Sequence, residues 1–69
     1  MEVQFDKSKA LKEIMILSIE VFGEEGKAER WLNSYNLLLS ASPIESLKDE
    51  ESIINIKKIL YSIAYGLCA

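Results

Sequence analysis

Few side chains in this sequence are equipped for covalent chemistry. There is no histidine, so the commonest catalytic base and metal ligand is missing. Cys68 is the single cysteine, which excludes an internal disulfide and a thiolate zinc site. No base or helix N-terminus lies beside it in sequence to lower its pKa, so it reads as an inert thiol. The acidic pairs Glu24-Glu25 and Glu50-Glu51 are the most suggestive groups, yet neighbours on a helix diverge by about 100° and cannot converge on one substrate. Both pairs are better used as negative charge at helix N-termini. No glycine-rich loop meets a lysine at phosphate-binding spacing. Arg30 is open to two readings, a solvated side chain or an interface residue. The sequence therefore predicts no catalytic residue, no metal and no cofactor. It reads as a binder, not an enzyme.

Size and charge narrow the class further. A chain of 69 residues is one domain, near the lower limit for a core that folds unaided. Its hydrophobic fraction of 49% is high for so much surface, so some apolar area is expected to stay outside and to favour association. The formal charge of −3, from 11 acidic and 8 basic residues, gives no long-range attraction for phosphate backbones and argues against direct contact with nucleic acid. The longest apolar run, Ile14 to Leu17, is far short of the roughly 20 residues that span a bilayer. No signal peptide is visible at the N-terminus. The expectation is a cytoplasmic protein, with no membrane partner.

The elements that must position any binding surface are helices. Residues 1–7 read as an N-terminal arm, with Asp6 or Ser8 as the N-cap of a first helix that Gly23 stops. The apolar residues of this helix, from Ala10 to Phe22, spread over about half its circumference, more than one neighbour requires. It is either a central helix touched on two sides or a helix with a second face for a partner. Ile16 is stranded among the polar residues. A second helix begins at Glu24 or Lys27 and ends at Ser34 or Tyr35, with Ala28, Trp31, Leu32 and Tyr35 spaced as one buried stripe. Trp31 is then a core anchor or an interface hot spot.

Asn36 to Ala41 forms a bend, in which Asn36 tolerates left-handed geometry and Leu37-Leu38-Leu39 can tuck under the turn. Ser42-Pro43-Ile44-Glu45 is a capping box with proline at the first helical position, opening a short helix from Pro43 to Leu47. Asp49 caps a last helix that Gly66 ends after Tyr65. Its main apolar stripe is Ile53, Ile56, Ile59, Leu60, Ile63, Ala64 and Leu67. A second stripe holds Ile54, Tyr61 and Tyr65. Those tyrosines either cover the edge of the core or face a partner, and tyrosine is enriched at interfaces. The predicted fold is all-α: three longer helices and one short one in a small bundle, a single domain over residues 1–69.

The order of these motifs is familiar. A helical Ala28-x-x-Trp31-Leu32, then Asn36, a leucine before a small-residue loop, Ser42-Pro43-Ile44-Glu45-Ser46-Leu47, and an apolar helix closing on Tyr65-Gly66 resemble the toxin-binding domain of the Xre/MbcA/ParS antitoxins. In that pattern Trp31, Leu32, Asn36, Ser42, Pro43 and Leu47 form the structural signature. The sequence departs from it in having Tyr35 for a proline, Ser40 and Ala41 for two loop glycines, and Ser52 for a glycine early in the last helix. Many members carry a helix-turn-helix domain before this module, for which 69 residues leave no room, so promoter binding is not carried over.

The resemblance implies an antitoxin of a bacterial type II toxin–antitoxin system. The partner it implies is a RES-domain toxin, an enzyme that depletes cellular NAD, whose active-site cleft the antitoxin covers with its C-terminal region. Carried onto this chain, that gives Tyr61, Tyr65, Gly66, Leu67, Cys68 and Ala69 as the plug, with Ile54 and Arg30 as flanks, and a homodimer as a further expectation. The competing expectation is a helical self-association or adaptor module with no toxin partner, driven by the excess apolar face of the first helix.

Overall fold

A computed structural model describes residues 5–66 as four helices: α1 (Lys7–Phe22), α2 (Glu25–Asn33), α3 (Pro43–Ser46) and α4 (Glu50–Tyr65). Both ends of α1 and α4, and the start of α3, have a local cause. Asp6 accepts the Lys9 amide at 3.1 Å to open α1. Gly23, at φ 83°, closes it in the left-handed region and donates its amide to the Ile19 carbonyl. The box at Ser42 forms as read: the Ser42 hydroxyl accepts the Glu45 amide while the Glu45 carboxylate accepts the Ser42 amide. Asp49 opens α4 with a second box, its carboxylate accepting the Ser52 amide and the Ser52 hydroxyl accepting the Asp49 amide. Gly66, at φ 67°, ends α4.

α1 is the hub. α2 packs on one of its sides and α4 on another, while α3 lies against α2. This is the central-helix reading of its broad apolar face. Ala10, Ile14, Leu32, Leu47, Ile53, Ile56 and Leu60 form one buried cluster, with Trp31, Phe22, Met15 and Leu39 packed around it. Trp31 is half-buried and meets Phe22 with ring centroids 5.7 Å apart, so it anchors the core's edge where α1 turns into α2. Ser18 is fully buried inside α1 and satisfies its hydroxyl on the Ile14 carbonyl at 2.6 Å. That return bond is what lets a polar residue lie in the core.

The structure corrects the sequence reading at the bend. α2 stops at Asn33, and Ser34 caps it in extended backbone, so Tyr35 leaves the stripe of Ala28 and Leu32 and stands 67% exposed. Leu37 and Leu38 point into solvent; only Leu39 of the three packs against the core. The left-handed residue is Ser40, at φ 57°, and not Asn36. Asn36 instead uses its side chain, whose oxygen accepts the Leu38 amide at 2.9 Å, while its own amide donates to the Ala41 carbonyl at 3.0 Å. The short helix ends at Ser46, one residue early, and leaves Leu47 as its buried cap. The bend sets α2 against α1 and α3, and Leu32 of α2 shares the buried cluster with Ile56 and Leu60 of α4.

Candidate functional site

α4 is apolar on two separate faces, and that division creates the candidate site. Ile53, Ile56 and Leu60 turn inward and are buried. At about 100° per residue, Tyr61 and Tyr65 fall within roughly 20° of Ile54, on the far side of the helix. All three are exposed: Ile54 53%, Tyr61 44% and Tyr65 71%. They form a stripe about 16 Å long on α4. Neither ring belongs to the buried cluster, although Tyr61 is more than half covered. Tyr61 and Tyr65 stack on each other, ring centroids 6.2 Å apart and planes 18° from parallel, so each ring fixes the other.

The remaining candidates are less convergent. Arg30 lies on the exposed side of α2, away from the buried Ala28 and Leu32, and no described carboxylate pairs with it. It belongs to a different helix from the tyrosine stripe. Gly66 is exposed at the end of α4, where it terminates the stripe. Leu67, Cys68 and Ala69 lie outside the described residues. The structural signature behaves as a scaffold: Leu32, Ser42, Pro43 and Leu47 are buried, and Trp31 and Asn36 are half-buried.

Nothing in the described residues gathers chemistry. No group of three His, Cys, Asp or Glu among them is placed to hold a metal ion. A hollow between α3 and α4, of about 390 Å³, is lined in part by Glu45, Asp49 and Glu51. Two of those carboxylates are committed to the caps at Ser42 and Ser52. No described helix is long and apolar enough to cross a membrane.

Sequence reasoning missed one feature that bears on the site. Leu37 and Leu38, 83% and 77% exposed, extend the apolar surface beyond α4. The sequence carries no signal for it, because the outward turn of these leucines follows from the backbone pairing of Asn36 with Ala41.

The family model described as the antitoxin Xre/MbcA/ParS C-terminal toxin-binding domain matches residues 18–66, from the middle of α1 to the cap of α4. The chain belongs to that family, a class of helical modules that bind toxins. No curated protein and no solved structure gives a significant match.

Proposed function

We propose that this chain is an antitoxin module that binds a RES-domain toxin and blocks its active site with the outward face and C-terminal end of α4. The observation that carries the reading is the stacked, exposed pair Tyr61–Tyr65 at the end of α4, opposite the core, in a chain of the toxin-binding family. A large aromatic surface held in place loses little conformational freedom on binding, so most of its burial appears as affinity. Gly66, Leu67, Cys68 and Ala69 are assigned to the plug as well, the last three lying outside the described residues, with Ile54 and Arg30 as its flanks.

The mechanism is occupancy. The chain supplies no nucleophile, acid or base to the toxin's chemistry, and inhibition is stoichiometric. The core built from α1, α2 and α4 keeps the helix rigid, so that the tyrosines arrive as one surface. Because the toxin's substrate is a polar cofactor, a plug of aromatic rings and a short chain end excludes it by filling space.

The test is co-expression with the protein of the neighbouring reading frame, scored by cell survival and NAD content. A chain lacking Leu67 to Ala69 is expected to keep its helicity and lose most of its protection. If the shortened chain protects as well as the whole one, the plug is wrong. If no RES-domain protein co-purifies, the partner is wrong.

A further inference from the structure

A groove of about 380 Å³ opens between the Asn36–Ala41 loop and the C-terminal half of α4, lined by Asn36, Leu38, Lys58, Ile59, Ser62 and Ile63. Its aliphatic lining comes from Leu38 on one wall and Ile59 and Ile63 on the other. Two of its polar side chains are partly engaged internally. The Ser62 hydroxyl donates to the Lys58 carbonyl at 2.9 Å, and the Asn36 side-chain oxygen accepts the Leu38 amide. What the groove offers outward is aliphatic surface, the Asn36 side-chain NH2 and the ammonium of Lys58, which has no ion-pair partner among the described residues. The loop wall is held by backbone bonds from Asn36 to Ala41 and from Leu39 to Asn36, so Leu38 is kept out of the core rather than left unplaced.

The groove also adjoins the tyrosine stripe. Lys58 and Ser62 fall roughly 40° and 80° around α4 from Ile54, between the stripe and Ile59. Tyr61, Lys58 and the groove are therefore neighbouring parts of one surface.

We propose that this groove is a second contact site for the toxin, one that takes an aliphatic side chain flanked by a carboxylate, the carboxylate pairing with Lys58. This rests on the toxin-binding reading above and adds the chemistry of the partner's contacting segment. The choice of a different protein over a second copy follows from charge. Two copies joined groove to groove about a two-fold axis would bring Lys58 towards Lys58, with no carboxylate in either lining to separate them. A partner that supplies the missing negative charge meets no such conflict. An unpaired lysine beside an apolar seat also contributes selectivity, since a toxin with a basic residue there is repelled.

The experiment uses the whole chain and the purified RES-domain toxin encoded beside it, with affinity measured at low and high salt. Lys58→Glu is expected to weaken binding about 10- to 100-fold, and Lys58→Met a few-fold with a flatter salt dependence, as for loss of a single interfacial charge pair. Leu38→Asp, at an exposed loop position, is expected to weaken binding by at least tenfold while leaving the melting curve in place. Lysine substitution of the toxin's contacting carboxylate should restore affinity for Lys58→Glu. If these variants bind normally while loss of Tyr61 and Tyr65 abolishes binding, the groove proposal is overturned and the toxin-binding reading stands. If loss of the tyrosines is also harmless, both fall. A dimer in sedimentation that Leu38→Asp dissolves would assign the groove to a second copy and overturn the proposal.

Discussion

Leu60 and Tyr61 are adjacent in sequence and opposite in consequence, which makes them the sharpest test of how α4 is divided. Leu60 is fully buried in the cluster with Ile14, Leu32 and Ile56, so Leu60→Ala removes packing that cannot relax away. Such truncations cost about 3–5 kcal/mol. A domain of this length holds only about 3–10 kcal/mol in total. The variant should therefore melt at least roughly 12 °C lower, since each kcal/mol moves Tm by about 4–8 °C in small domains, or fail to fold at all. Tyr61 is 44% exposed and stacks on Tyr65 one turn further along its own helix. Tyr61→Ala gives up that stack, worth about 0.5–1.5 kcal/mol, and regains part of it through alanine's better helix propensity. With the partial burial of the ring added, the net change should stay at or below about 2 kcal/mol, well under that of Leu60→Ala. Thermal melting by circular dichroism at 222 nm reads both variants directly. If Tyr61→Ala lowers Tm as far as Leu60→Ala, the tyrosines seal the core edge and the outward face is not free to bind.

Other positions give checks of the scaffold. Ser40 holds a left-handed backbone at φ 57°, a conformation that costs a side-chain-bearing residue about 1–2 kcal/mol. Ser40→Gly removes that penalty against a glycine entropy cost of about 0.5–1 kcal/mol, so a small rise in Tm is expected; a fall would mean that the serine side chain contributes to the loop. Ser42→Ala breaks the capping box of α3 and leaves the Glu45 amide without its partner. It should cost about 1 kcal/mol in chemical denaturation while leaving toxin affinity unchanged for the folded fraction. Equal affinity loss would place α3 in the interface.

Much of the scaffold was legible because its signals are local. Asp6, Gly23, Ser42, Asp49 and Gly66 each act on backbone groups within a turn of themselves, and each boundary lies where those residues put it. The division of α4 was legible too, since residues seven and eleven apart must share a face. The bend was less so. Whether Leu37 and Leu38 turn in or out depends on the pairing of Asn36 with Ala41 and on which loop residue takes positive φ, and both are settled by closure of the whole loop. Tyr35 was misplaced for a related reason: the helical period continues through it, but Ser34 has already turned extended. Ser18 escaped notice because its burial depends on one return bond that composition does not announce. Ser52, where the family pattern has glycine, completes a cap instead of loosening the helix start.

The central claim is that α4 meets the toxin through Tyr61 and Tyr65. Calorimetric titration of the RES-domain toxin with the Tyr61→Ala/Tyr65→Ala variant tests it most directly, with a melting curve recorded on the same sample. Two hot-spot tyrosines at about 1.4–2 kcal/mol each predict a Kd weaker by about 10²- to 10³-fold in a variant that stays folded. An unchanged Kd in a folded variant would contradict the account.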